Sequence, residues 1–163
     1  MPTVRIWYLV MNSSRLRILR GLPGPDGPAV AELALQSGRH YLREFLLGRA
    51  QRRPDPLAPG CRANGEPAFD PVRKDTVQFL HEIADFLQAQ RRGDGFDALV
   101  LVAPPEVIHL WHAEVASSVQ DTVCCEVARN LVRLPARELG HTIRRQLESQ
   151  GIRFHAGQPT GCR

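Results

Sequence analysis

An eight-residue segment, 96–103 (FDALVLVA), constrains the fold more than any other part of the chain. From Ala98 onward its apolar residues do not alternate with polar ones, so both faces of the strand they form must be buried, as in a parallel sheet covered by helices. Pro104 and Pro105 end this strand, and Pro105 can begin a helix that reaches about Ser118. A buried strand followed at once by a helix is half of a crossover unit and indicates an α/β fold.

Three strands are predicted before this unit. Residues 4–10 are almost entirely apolar, with β-branched and aromatic side chains that favour a buried strand. Residues 12–14 (NSS) are typical of a turn. Residues 15–20 start with alternating arginine and apolar residues, which indicates a half-buried strand paired with the first. Residues 30–35 complete a three-stranded meander after a loop rich in Gly and Pro at 21–28.

Helices are predicted after the meander and after each later strand. Asp70 and Pro71 are well suited to begin the first helix, as its cap and first residue. Its apolar stripe at helical spacing consists of Val77, Leu80, Ile83, Ala84 and Leu87. Residues 122–128 are predicted to form the fifth strand, and the last helix begins at Pro135 and is capped by Gly151. The order β-β-β-α-β-α-β-α is that of ribonuclease H-like folds, which have a mixed sheet with helices on both faces.

A chain of 163 residues suits one domain. We expect a single α/β domain over residues 1–155, with a mobile loop rich in Pro and Arg at about 48–69 and a flexible tail at 156–163. No apolar segment is long enough to span a membrane and no signal-peptide pattern precedes the first strand, which predicts a cytoplasmic protein. Cys124 and Cys125 are adjacent, so on a regular strand they point to opposite faces and cannot easily pair. We expect both to be thiols.

The charge of the chain is compatible with a nucleic-acid partner. The net charge is +4, and of the 21 basic residues only Lys74 is not arginine. Guanidinium groups suit phosphate, so this composition fits a nucleic-acid partner such as a structured RNA. The alternative is that a GC-rich coding sequence favours arginine everywhere and that these side chains simply keep the domain soluble. The predicted binding residues lie in the first turn, on one face of the second strand and after the fifth strand: Asn12, Ser13, Arg15, Arg17, Arg129, Asn130 and Arg133.

Catalytic machinery is not apparent in the sequence. A two-metal nuclease of this fold needs several carboxylates at the strand ends, but the first strand has no acid, and Glu82 and Asp85 of the first helix lack partners there. His109 and His112 share a helix face and are weak candidates for metal ligands, with ordinary packing as the alternative. We expect no enzymatic activity and no cofactor. The alternatives are a metal-dependent hydrolase that uses these two histidines, or a protein-interaction or stress-regulatory module that has a protein partner or forms a homodimer.

Four segments resemble the bacterial family of host attachment proteins. They are residues 7–19 (WYLVMNSSRLRIL), the long stretch 73–108 that ends in VAPPEVI, residues 123–134 (VCCEVARNLVRL) and residues 135–139 (PAREL). The family is described as similar to a domain of archaeal and eukaryotic peptide-chain release factors, which implies a connection to the ribosome or to RNA. The sequence departs from the family where Asn12 replaces an acidic residue and where residues 128–131 read ARNL in place of D-K-D-L. Both departures put the family's acidic positions in doubt as functional groups here.

Overall fold

The computed structural model describes residues 4–36, 71–155 and 158–160. Its main sheet contains the five strands β1 (Ile6–Met11), β2 (Arg15–Leu19), β3 (Glu32–Gln36), β4 (Ala98–Ala103) and β5 (Val123–Ala128). The strands lie in the order β3-β2-β1-β4-β5. β2 is antiparallel to both β1 and β3, whereas β4 and β5 continue the sheet parallel to β1. The predicted mixed α/β class is confirmed.

Four helices accompany this sheet in the described part of the chain: α1 (Pro71–Arg92), α2 (Pro105–Glu114), α3 (Ser117–Gln120) and α4 (Ala136–Ser149). After α4, β6 (Arg153–His155) and β7 (Gln158–Thr160) pair as a separate antiparallel ribbon, so part of the predicted tail is in a strand. The predicted loop at 48–69 lies outside the described residues. No described helix has the length and apolar character needed to cross a membrane.

The apolar core has two halves, one on each side of the sheet. One half packs Trp7, Leu9, Leu99 and Leu101 against α1, α2 and α3. The other packs the intervening residues of β1 and β4 against α4, with Tyr8, Val10, Val100, Val102, Ile143 and Leu147 among its members. Because successive strand residues point to opposite faces, a strand covered on both faces must be apolar throughout. This explains the unbroken run in β4, as the sequence predicts.

The second helix is predicted to extend to about Ser118, and this end is wrong because the segment forms two helices, α2 and α3. α2 stops at Glu114, and Val115 takes an extended backbone (φ −87°, ψ 138°) that carries its side chain into the core. The Gln120 side-chain amide donates to the His112 carbonyl oxygen at 3.1 Å and also to the Val115 carbonyl oxygen. One side chain therefore satisfies carbonyl groups that an uninterrupted helix would satisfy with its own backbone.

Strand β5 contains a bulge. Leu99 pairs with Val123 and Val100 pairs with Cys125, so Cys124 is an extra residue without a place in the register. In consequence Cys124 and Cys125 both pack against the core half that contains α4, whereas Val123 packs against the other half. The prediction that the two cysteines point to opposite faces is therefore wrong, because it assumed a regular strand. Neither cysteine forms a disulfide.

The loop between β2 and β3 lies directly on α4. A Cβ atom added to Gly140 would stand 2.4 Å from Cδ of Pro23, so only glycine permits this approach. One turn later Arg144 donates from Nη2 to the Pro23 carbonyl oxygen at 2.9 Å, which fixes the loop from the same helix face. Gly151 follows α4 with φ of 85° and completes the predicted helix end.

Candidate functional site

The basic groove is an open depression of about 700 Å³ between β2 and the start of α4. Its lining residues are Arg15, Arg17, Glu32, Val132, Arg133, Leu134, Pro135 and Ala136. Three of the seven predicted binding residues, Arg15, Arg17 and Arg133, thus come together although more than a hundred residues of sequence separate the first two from the third. None of the described residues in this lining is aromatic.

The alternation in β2 explains why two arginines face this groove. Arg17 pairs with Val10 across the β1–β2 ladder, and Val10 belongs to the core half that contains α4. Arg15 is two residues earlier and points to the same side of the sheet. The apolar neighbours Leu16 and Ile18 point to the opposite side and are fully buried there. The prediction that Arg15 and Arg17 share one face of this strand, opposite Leu16 and Ile18, is confirmed.

Arg17 is committed to contacts within the protein. Its Nε lies 3.1 Å from Oε1 of Glu32, and its Nη2 lies 2.9 Å from Oε2. Its Nη1 donates to the carbonyl oxygen of Val132 at 2.9 Å and also to that of Leu134. The Arg17 side chain is only 13% exposed. Its role is to hold the segment between β5 and α4 against the sheet, and Glu32 compensates its charge.

Arg15 and Arg133 are exposed and supply the accessible positive charge of the groove. The carbonyl groups on either side of Arg133 in sequence point to Arg17, and Val132 is buried. Pro135 precedes the first residue of α4, so the first turn of that helix borders the groove. N–H groups in the first turn of a helix lack intrahelical acceptors and favour an anion nearby.

Asn12 and Ser13 lie in the turn between β1 and β2, directly before Arg15 of the groove. The Asn12 side-chain oxygen accepts hydrogen bonds from the backbone N–H groups of Ser14 at 2.9 Å and Arg15 at 2.8 Å. The backbone N–H of Asn12 donates to the Arg15 carbonyl oxygen at 3.0 Å. A carboxylate oxygen could accept the same bonds, so an acidic residue at this position would suit the turn equally well. Neither Asn12 nor Ser13 lines the groove.

Arg129 and Asn130 are exposed directly after β5 and do not line the groove. They belong to the same connection as Arg133, which starts at the carboxyl end of β5. The backbone N–H of Arg129 donates to the Val127 carbonyl oxygen at 2.9 Å, which turns the chain sharply at this point. The structure therefore separates the predicted set into groove residues, turn residues and this exposed pair.

The histidine candidates are placed differently from one another. His112 Nε2 lies 2.7 Å from Oε1 of Glu126 on β5, and its Nδ1 lies 3.3 Å from Oε1 of Gln120. The hydrogen bond to the Glu126 carboxylate raises the pKa of His112 above its ordinary value. His109 is exposed. In the described ranges no group of three His, Cys, Asp or Glu side chains is arranged to hold a metal ion.

The partners that hold Arg17 beside the groove were not predicted from the sequence. Glu32 and the carbonyl groups of Val132 and Leu134 determine the position of Arg17, yet the carbonyls lie 115 and 117 residues away in the chain. Glu32 lies on the strand that pairs with β2 and has the charge opposite to that of arginine. Opposite charges on paired strands attract, so this contact could have been predicted. The backbone acceptors give no signal in the residue types.

Most of the chain is similar to a known protein family. Residues 7–143 match the protein family described as "Protein required for attachment to host cells". This range begins within β1, extends into α4 and includes every residue that lines the basic groove. No curated protein matches the chain.

Proposed function

The chain belongs to the family of proteins required for attachment to host cells, and we propose that it acts there as a non-enzymatic binding module whose basic groove holds a structured RNA. The observation that carries the proposal is the convergence of Arg15 and Arg133 on one open groove from distant parts of the sequence. Both side chains are exposed, so their guanidinium groups can reach a ligand. A phosphate backbone offers the oxygen acceptors that this planar donor group binds best.

The lining of the groove favours phosphate contacts over base contacts. Bases are held by stacking on aromatic rings or by paired hydrogen bonds to their edges. The described lining has arginine, aliphatic and proline side chains together with Glu32, and it has no aromatic ring. We therefore expect binding that depends strongly on salt and only weakly on base sequence.

The fold supports a binding role at the expense of a nuclease role. The strand order β3-β2-β1-β4-β5, with helices on both faces, is the arrangement on which we base a ribonuclease H-like assignment. In that assignment the carboxyl ends of the central strands would carry metal-binding acids. Here β1 is followed by Asn12, whose side-chain oxygen closes a turn, and β4 ends in Ala103 before Pro104. Asn, Ala and Pro carry no carboxylate, and this supports a binding role over a two-metal nuclease.

The ribosome is the specific RNA that we propose as the partner. The resemblance of the family to a release-factor domain supports this choice, and a cytoplasmic location follows from it. A test is sedimentation of the native protein in cell lysate with and without ribonuclease. Co-migration with ribosomal particles that ribonuclease abolishes would support the proposal, whereas migration as a small species in both samples would count against it.

The groove itself is tested by charge reversal. We expect R15E/R133E to weaken binding of a fluorescein-labelled RNA hairpin, measured by anisotropy, and to reduce the slope of log K against log salt by about two, one for each lost phosphate contact. The matched control is R92E/R145E, which reverses two exposed arginines away from the groove lining. Arg17 is left intact because its contacts are internal. Equal salt slopes for the two double variants, with circular dichroism showing both folded, would refute the groove as the site.

A further inference from the structure

The bulge in β5 creates a second feature that the RNA proposal does not use. Cys124 and Cys125 are neighbours in sequence, and the extra residue in the register turns both side chains toward the core half that contains α4. In a regular strand only one of two neighbours could do so. The two cysteines, which are joined by a single peptide bond, therefore both have their side chains on one side of the sheet.

The thiol pair lies where a small reagent can reach it. β5 is the last strand of the described sheet, next to β4 only. Both cysteines are half-buried. The Cys125 thiol donates to Oε1 of Gln150 at 3.3 Å, and the Gln150 amide donates to the Glu126 carbonyl oxygen at the same distance. Gln150 follows α4 directly and is exposed, so this contact does not seal the site.

We propose that Cys124 and Cys125 form a vicinal dithiol site for a thiophilic ligand that bonds to two sulfur atoms, of the class of monosubstituted trivalent arsenicals. Sulfur ligands prefer such soft centres over hard ones. In the reaction each thiol loses its proton, two arsenic–sulfur bonds form, and the oxygen of the arsenoso group leaves as one molecule of water. No oxidant or reductant is required, because arsenic and sulfur both keep their oxidation states.

Chelation by both sulfurs is the step that distinguishes this site from two separate thiols. Once one sulfur is bonded, the second bond forms within the same molecule and benefits from a high effective concentration. Loss of either thiol should therefore weaken binding roughly 100-fold or more. Binding also replaces the hydrogen bond from Cys125 to Gln150, because the thiol proton leaves.

The test uses the full chain with Cys61 and Cys162 replaced by serine, so that Cys124 and Cys125 are its only cysteines. The probe is phenylarsine oxide, followed by intact-protein mass spectrometry and by competition with ethane-1,2-dithiol. We expect one adduct per chain that resists low concentrations of the competitor. Adding C124S or C125S to this background should abolish that resistance, while both variants keep one thiol that N-ethylmaleimide can modify.

Two results would overturn the proposal. One is a single-serine variant that holds the arsenical as tightly as the parent with both thiols, because one sulfur would then suffice. The other is the absence of an adduct on the folded parent. As a control, near-ultraviolet circular dichroism of each variant checks that the packing around β5 is intact. We expect no change, because serine is close to cysteine in size. The experiment is independent of RNA binding.

Discussion

Arg17→Met removes the side chain that connects β2 to β3 and to the segment between β5 and α4. Methionine can keep the apolar stem in place but loses every donor. The substitution leaves the Glu32 carboxylate without its cationic partner and the carbonyl groups of Val132 and Leu134 without the Nη1 donor. Because this segment leads into α4, the loss should loosen the covering of one face of the sheet.

The size of the effect follows from the burial of the two partners. Breaking a fully buried ion pair by removing one member costs about 3–5 kcal/mol. The Arg17 side chain is 13% exposed, but that of Glu32 is 25% exposed, so water can solvate the orphaned carboxylate in part. We therefore expect a loss of about 2–3 kcal/mol in the free energy of unfolding. For a domain of this size the corresponding fall in Tm is about 4–12 °C.

Urea and thermal unfolding monitored by circular dichroism measure this loss. Arg15→Met is the matched control, since Arg15 is on the same strand face but exposed, and we expect it to change stability by less than about 0.5 kcal/mol. Adding Glu32→Gln to Arg17→Met should restore part of the loss, because no uncompensated charge then remains. Equal stabilities of Arg17→Met and Arg15→Met would refute the conclusion that Arg17 holds the segment between β5 and α4 against the sheet.

Three further predictions concern the turn, the helix contact and the histidine pair. Asn12→Ala should cost about 1 kcal/mol in urea unfolding because two backbone N–H groups lose their acceptor, whereas Asn12→Asp should stay near wild type. Gly140→Ala should lower stability by about 1–3 kcal/mol, despite the better helix propensity of alanine, because its Cβ meets Pro23; an unchanged Tm would contradict this contact. The raised pKa of His112 means that its ion pair with Glu126 stabilises the fold fully below pH 6.5 and that this contribution is lost as pH rises through the raised value. The stability difference between wild type and His112→Gln should therefore shrink between pH 5 and pH 9, by less than about 1 kcal/mol because the pair is partly exposed.

Burial patterns made much of the sheet predictable. The run in β4 requires cover on both faces, and the alternation of arginine with Leu16 and Ile18 places β2 correctly with one arginine-bearing face. Gly151 marks the end of α4 because the backbone there needs a positive φ. These features depend on periodicity and backbone conformation, which residue types express directly.

The features that sequence analysis missed depend on tertiary contacts. Nothing in the letters VCCEVA marks a bulge, because an extra residue is defined by the register against β4. The break between α2 and α3 depends on the Gln120 amide, which reaches back to the carbonyl groups of Trp111, His112 and Val115. Arg17 is held by internal contacts whereas Arg15 is exposed, and this difference also depends on tertiary structure. The two arginines lie on the same strand face, but the distant carbonyl groups of Val132 and Leu134 approach only Arg17.

The position of α4 late in the chain has a consequence for synthesis. The chain grows from its amino end, so α1, α2 and α3 can cover their side of β1 and β4 while residues 136–149 are still being made. During that interval Tyr8, Val10, Val100 and Val102 lack the cover that α4 gives them in the finished fold. Premature release or a pause in elongation at this stage would therefore favour aggregation through this side of the sheet. A chaperone that binds extended apolar surface would act on this protein mainly in that window.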